Sequence, residues 1–154
     1  KEEILILLED IYRITKEFLL LAQTLEIHAH FVEKNDSCQY LYKAARVYEE
    51  PLQNLPKALQ LYDSILLQTP CHKETMERLE TIFRKKEEYN KLLELYNSQA
   101  KLLDPSLDRL SLHRKAASLA QEYSDDIEIA IVHYRSILEI EPDNSEAMER
   151  LMEL

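Results

Sequence analysis

The stretch KALQLYDSILLQTP (Lys57–Pro70) is an amphipathic helix stopped by a proline, and 72 residues later the chain repeats it as IAIVHYRSILEIEP (Ile129–Pro142). In the first copy Ala58, Leu59, Leu61, Tyr62, Ile65 and Leu66 recur at helical spacing and form one apolar stripe. Extended without a gap, the alignment pairs residues 41–82 with 113–154, and 15 of the 42 pairs are identical. They include Ala44/Ala116, Ala45/Ala117, Ala58/Ala130, Tyr62/Tyr134, Ile65/Ile137, Pro70/Pro142, Met76/Met148 and Leu79/Leu151. A fainter echo sets RLETIFRKKEEY (78–89) on LLEDIYRITKEF (7–18) at an offset of 71, with Glu9/Glu80, Ile11/Ile82, Arg13/Arg84 and Glu17/Glu88 identical.

Half of 72 is 36, the length of one helix–turn–helix unit. In the unit from Ser37 to Pro70, Leu41, Ala44, Ala45, Val47 and Tyr48 give a first stripe. Pro51 and Pro56 bracket a short connection, and Pro56 suits the first turn of the second helix, where its missing N–H costs nothing. The small residues Ala44, Ala45 and Ala58 permit close helix approach. The large Tyr48 and Tyr62 fill the gap to a neighbouring unit. Small against large at fixed spacing predicts helix pairs that stack on one another; a closed bundle is the alternative packing. The pattern predicts nine helices, over 1–14, 16–33, 38–51, 55–69, 72–86, 88–103, 107–123, 126–141 and 144–154. The units run over about 1–36, 37–71, 72–106 and 107–142, with a partial one at 143–154.

Composition agrees. The 154 residues contain no glycine and only five prolines, so β-bulges, type I′ turns and tight βα loops are disfavoured, and the chain is expected to turn on Asn, Asp, Pro and Lys. The P-loop, the dinucleotide fingerprint, the nucleophile elbow and the EF-hand loop all need glycines at fixed positions, so none can exist here. The net charge of −10, from 29 acidic against 19 basic side chains, argues against nucleic-acid phosphates and anionic membranes. No apolar run approaches a membrane span; Phe18–Ala22, with five residues, is as long as any. Two cysteines without a CxxC, Cys38 and Cys71, fit reduced intracellular thiols. The chain opens on Lys1 within a helical pattern and is expected to be a piece of a longer protein, with array ends that look uncapped.

The repeated pattern resembles the tetratricopeptide (TPR) family. Leu41, Ala44, Ala45, Tyr48, Ala58, Tyr62 and Pro70 match its positions in one unit. Ala116, Ala117, Ala120, Ala130, Tyr134 and Pro142 match them in another. The unit between them fits less well: Met76, Leu79, Phe83, Leu92 and Tyr96 match, but Glu80 stands where the family has a small residue and the closing proline is displaced to Asp104-Pro105. The resemblance implies an all-α fold, a right-handed superhelix (solenoid) of about four stacked antiparallel helix pairs. It also implies a non-enzymatic protein–protein interaction scaffold of the cytoplasm, binding a peptide or protein on its concave face. By that resemblance the partner-binding residues are Arg13 (with Asp10); Gln39, Tyr42, Arg46 and Glu49; Glu77, Thr81, Arg84 and Lys85; and Arg114, Ser118 and Gln121. The recurring cations Arg13, Arg46, Arg84, Lys85 and Arg114 would suit an acidic peptide or a C-terminal carboxylate; solvated charges paired with neighbouring glutamates are the simpler reading. The family's carboxylate clamp for chaperone tails is not expected, because Arg46 and Thr81 stand where it uses asparagine. The alternative function is a structural spacer that self-associates through the array ends.

Chemical sites are weak by comparison. His28 and His30 are two residues apart and point to different helix faces, which is poor chelating geometry. Cys71-His72 has no third orienting group and no oxyanion hole. His113 and His133 read as solvent-edge residues. Carboxylate pairs such as Asp125-Asp126 are better read as helix N-terminal signals. Tyr48, Tyr62, Tyr96 and Tyr134 fall on core stripes, and of Tyr40 and Tyr42 the latter is the better exposed contact. No catalytic residue, cofactor or metal is expected.

Overall fold

A computed structural model describes residues 2–103, 107–124 and 126–154. Among these, nine α-helices follow one another without a strand. They are α1 (Glu2–Thr15), α2 (Phe18–Phe31), α3 (Lys34–Glu49), α4 (Leu55–Gln68), α5 (Lys73–Lys85), α6 (Tyr89–Leu102), α7 (Leu107–Tyr123), α8 (Ile127–Ile140) and α9 (Ser145–Glu153). The main departure from expectation is α3, which starts four residues early. Glu33 sits extended at its cap and its carbonyl accepts from Ser37 N at 2.8 Å. Asp36 lies in the favourable first turn, and Ser37 and Cys38 are buried, so packing draws Asn35-Asp36-Ser37 into the helix. Asp104-Pro105 and Asp125 lie outside the described residues.

The chain forms two compact units, Lys1–Thr75 and Met76–Leu154. In the first, α1 packs on α2, α2 on α3 and α3 on α4. Its core is Leu21, Ala22, Leu25, Leu41, Ala44, Ala45, Tyr48, Ala58, Tyr62 and Ile65, all buried. In the second, α6 packs on α7, α7 on α8 and α8 on α9. Leu92, Tyr96, Ala116, Ala117, Ala120, Ala130, Tyr134 and Ile137 fill that core. The paired alanines are fully buried, as close helix approach requires.

The sequence repeat is also a repeat of local geometry. Tyr62 Oη donates to Glu49 Oε2 at 2.8 Å, and its counterpart Tyr134 Oη donates to Gln121 Oε1 at 3.0 Å. Thr69 N bonds Ile65 O and Glu141 N bonds Ile137 O, each at 2.8 Å. Asn54 and Asp126 occupy the same helix-entry position and both cap it, accepting from Lys57 N at 3.2 Å and Glu128 N at 3.0 Å. The fainter echo holds as well. Lys16 and Glu87 both take left-handed φ, of 60° and 56°. Glu17 N then bonds Tyr12 O, and Glu88 N bonds Phe83 O, each at 2.9 Å, closing α1 and α5 alike.

A chain without glycine therefore makes its tightest helix exits on Lys16, Gln53, Cys71 and Glu87, of which the composition led one to expect lysine alone. Each carries a left-handed backbone penalty of roughly 1–2 kcal/mol. Asn and Asp serve instead as entry caps. Glu80, where a small residue was expected, is partly buried and accepts from Lys115 Nζ at 2.7 Å. The Lys115 ammonium also lies 5.9 Å from the Tyr96 ring centre, so the departure is compensated by charge.

Candidate functional site

The second unit holds a cavity of about 90 Å³ between α7, α8 and the start of α9. Its walls are Arg114, Ser118 and Gln121 of α7, Tyr134 and Ile137 of α8, and Asn144, Glu146, Ala147 and Arg150. All three residues expected to bind a partner on α7 thus meet in one place. They lie at i, i+4 and i+7, one face of the helix. Gln121 Oε1 is held by the Tyr134 hydroxyl, which leaves its amide N–H groups as donors. Arg114 Nη2 lies 3.5 Å from Glu141 Oε2, which also accepts from Asn144 Nδ2 at 2.8 Å. Asn144 caps α9 by accepting from Ala147 N at 2.9 Å. An open groove of about 530 Å³ adjoins, lined by Arg114, Glu141, Pro142, Asp143, Asn144, Ser145 and Glu146.

In the first unit the repeat-equivalent positions carry larger groups. Tyr42 stands where the second unit has Arg114, Arg46 where it has Ser118, His72 where it has Asn144, and Thr75 where it has Ala147. The Tyr42 ring packs 5.8 Å from Tyr62 and 6.3 Å from His72. Arg46 is tied to Glu49 at 3.5 Å and Glu50 at 2.8 Å. Glu49 receives the Tyr62 hydroxyl, and burial together with that carboxylate pushes the Tyr62 phenol above its ordinary range. Gln39, Tyr42, Arg46 and Glu49 share one face of α3, with Gln39 exposed and the others half-buried.

The remaining expected residues are placed separately. Arg13 pairs with Asp10 on its own helix at 3.0 Å, both over half exposed. Glu77, Thr81, Arg84 and Lys85 are exposed on α5, and Thr81 Oγ1 donates to Glu77 O at 2.8 Å. Three of the recurring cations, Arg13, Arg46 and Arg114, are thus shared with carboxylates of the chain. The exposed pairs of Arg13 and Arg114 contribute about 0–1 kcal/mol, so an incoming carboxylate can compete for those two cations.

Sequence reasoning missed two buried polar pairs. His113 and His133 are buried, not at the solvent edge, and their Nδ1 atoms lie 3.1 Å apart across α7 and α8. One neutral ring donates its N–H to the bare nitrogen of the other. Burial, then the charge of His113, lowers the pKa of His133 to about 4. Burial also lowers that of His113, with Arg109 acting the same way and Glu139 against it. In the first unit the fully buried His28 donates Nδ1–H to Glu9, itself only 6% exposed, while its ring stacks 3.9 Å from Tyr40. The signal was present in the spacing. Ala130, His133, Tyr134 and Ile137 keep the i, i+3, i+4, i+7 pattern, and so do Leu5, Leu8, Glu9 and Tyr12.

His30 is exposed on α2, apart from the buried His28. Neither Cys38 nor Cys71 is part of a disulfide. Cys38 Sγ lies 3.4 Å from Thr69 Oγ1, and His72 turns its Nδ1 to Thr75 Oγ1 at 3.0 Å. Among the described residues no group of three His, Cys, Asp or Glu is arranged to hold a metal, and no helix is long and apolar enough to cross a membrane. The chain matches no protein-family model and no curated protein.

Proposed function

We propose that the chain is a non-enzymatic, TPR-like interaction scaffold. Its helix pairs stack as a right-handed solenoid, and the first helix of each pair lines the concave face on which a peptide or protein binds. The observation that carries this reading is the contrast between frame and surface in the repeat. The frame recurs: the Tyr62–Glu49 and Tyr134–Gln121 hydrogen bonds are equivalent. The side chains around it change in size and charge, from Tyr42, Arg46 and His72 to Arg114, Ser118 and Asn144. A fixed frame with variable surface groups is what selective recognition needs.

The partner that fits is acidic. Arg114 and Arg150 flank the cavity with Ser118 and Gln121 as donors, and Glu146 is its one carboxylate wall. The expected setting is the cytoplasm, which suits two cysteines that are not joined in a disulfide. Fluorescence anisotropy with a labelled Asp/Glu-rich peptide tests the reading, beside a Lys-rich peptide of equal length. Tighter binding of the acidic probe, weakened about tenfold or more by Arg46→Glu with Arg114→Glu, supports it. Equal binding of both peptides, or no effect of the two substitutions, overturns it. Small-angle scattering tests the stacking: an elongated monomer supports the solenoid and a compact one contradicts it.

A further inference from the structure

In the repeat a tyrosine of the second helix donates to a residue near the end of the first. Tyr62 of α4 bonds Glu49 of α3, and Tyr134 of α8 bonds Gln121 of α7. Helices α5 and α6 keep the tyrosine and change its partner. Helix α5 aligns with α3 at an offset of 35, which sets Met76, Leu79 and Phe83 on Leu41, Ala44 and Tyr48. Helix α6 aligns with α4 at an offset of 34, which sets Leu92 and Tyr96 on Ala58 and Tyr62. All of these residues are buried. The position of Glu49 and Gln121 therefore falls to Arg84.

An arginine carries N–H donors and no acceptor, so the Tyr96 hydroxyl proton finds nothing to bond there. Tyr96 is fully buried, and its Oη has no hydrogen-bond partner. Burial first and then Glu80 raise the pKa of this phenol and Arg84 lowers it, yet neither side chain closes a hydrogen bond to it. Glu80 is taken by Lys115 Nζ at 2.7 Å. Arg84 is exposed and, unlike Arg13, Arg46 and Arg114, pairs with no carboxylate among the described residues. A buried hydroxyl without a partner is costly in a native fold and marks a place where a bonding group is missing.

We propose that the partner supplies the missing acceptor: a carboxylate enters beside Arg84, accepts the Tyr96 hydroxyl and is held by the Arg84 guanidinium. This rests on the reading of the chain as a scaffold for an acidic partner, and it names the groups that receive the acid. The repeat itself shows the arrangement. In the first unit the Glu49 carboxylate accepts from the Tyr62 hydroxyl and lies 3.5 Å from Arg46 Nη1, one carboxylate between a phenol and an arginine. Helices α5 and α6 present the phenol and the arginine and lack the carboxylate, which an Asp or Glu of the partner provides. The position is reachable from solvent: Gln121, its counterpart, is exposed while it accepts from Tyr134. The unpaired Arg84 can turn outward to admit the group. The Lys115 ammonium lies 5.9 Å from the Tyr96 ring centre. Arg84 and Lys115 against Glu80 leave the surroundings net positive, and a charge-assisted bond to a carboxylate is stronger than one between neutral groups.

Two measurements on the full chain test it. The first is urea unfolding without peptide. Tyr96→Phe removes an unpaired hydroxyl and should leave the midpoint unchanged or raise it, whereas Tyr62→Phe breaks a formed bond and should lower it. Arg84→Gln installs the acceptor that Gln121 provides in α7 and should raise it. A Tyr96→Phe midpoint lowered as far as that of Tyr62→Phe would show the hydroxyl already bonded within the chain and overturn the proposal. The second is fluorescence anisotropy with a labelled Asp/Glu-rich peptide and a Lys-rich one of equal length. Tyr96→Phe and Arg84→Gln should each weaken the acidic peptide about tenfold and leave the Lys-rich one unchanged. Binding retained when the peptide's C-terminus is amidated assigns the carboxylate to a side chain; binding lost assigns it to the terminus. An acidic preference that both substitutions leave intact overturns this site alone. Equal binding of the two peptides, or none, overturns the proposed function and the site with it.

Discussion

The buried histidine pair makes the second unit sensitive to acid, by an amount that follows from its geometry. His133 is 3% exposed and its Nδ1 faces that of His113 at 3.1 Å, so neither ring can take up a proton without placing a charge in the core. The unfolded chain binds that proton near pH 6.5, whereas folded His133 binds it only near pH 4. A folded pKa below the unfolded one means full stability above pH 6.5, lost progressively as the pH falls toward 4. The slope is ~1.4 kcal/mol per pH unit across that window, so His133 alone removes ~3 kcal/mol by its lower end, and the lowered pKa of His113 acts in the same direction. The assay is urea unfolding followed by circular dichroism at pH 7.5, 6.5, 5.5 and 4.5, for the native chain and for His133→Gln. The glutamine keeps a neutral hydrogen-bonding group opposite His113. The native chain should lose about 2–3 kcal/mol more than the variant between pH 6.5 and 4.5. Equal losses would show that the pair carries no protonation penalty and would refute the reasoning.

Three further outcomes follow from the packing. Ala130 is fully buried, so Ala130→Arg should overpack the α7–α8 contact and bury a charge, destabilising by about 3 kcal/mol or more; an unchanged melting temperature would contradict the close-packed repeat. Asn144→Ala removes the cap of α9 and should cost about 1 kcal/mol in urea unfolding. Glu87→Gly relieves a left-handed backbone at φ 56° and should raise the melting temperature, with a gain of up to ~1 kcal/mol, whereas Glu87→Ala should not.

Much of the fold was legible because it is written twice. An alanine at positions 44, 45 and 58 could be a local accident. The same residue at 116, 117 and 130 fixes which faces must pack closely, and all six are buried. Pro56 and Asp126 marked helix entries by chemistry that any helix end requires. The exits were harder to read. Lys16, Gln53, Cys71 and Glu87 have no side-chain signature for left-handed backbone, and only the hydrogen bonds across each turn reveal why they adopt it. The buried polar pairs were obscured for another reason. A histidine or glutamate on an apolar stripe looks like a fault in the pattern until its partner is found on another helix, and Glu9 and His28 are separated by a whole turn of chain. Of the expected contact residues, Arg114, Ser118 and Gln121 converge because one helix face carries them. Their surroundings come from α8 and α9, whose side-chain positions no linear pattern specifies.

The proposed function requires that the faces of α3 and α7 carrying Gln39, Tyr42, Arg46, Arg114, Ser118 and Gln121 receive an acidic partner. Amide chemical shifts, recorded while an Asp/Glu-rich peptide is titrated into the isotopically labelled chain, address that claim residue by residue. The predicted result is saturable change centred on Gln39, Tyr42 and Arg46 in the first unit and on Arg114, Ser118 and Gln121 in the second. Changes confined to α1, or none at millimolar peptide, would contradict it.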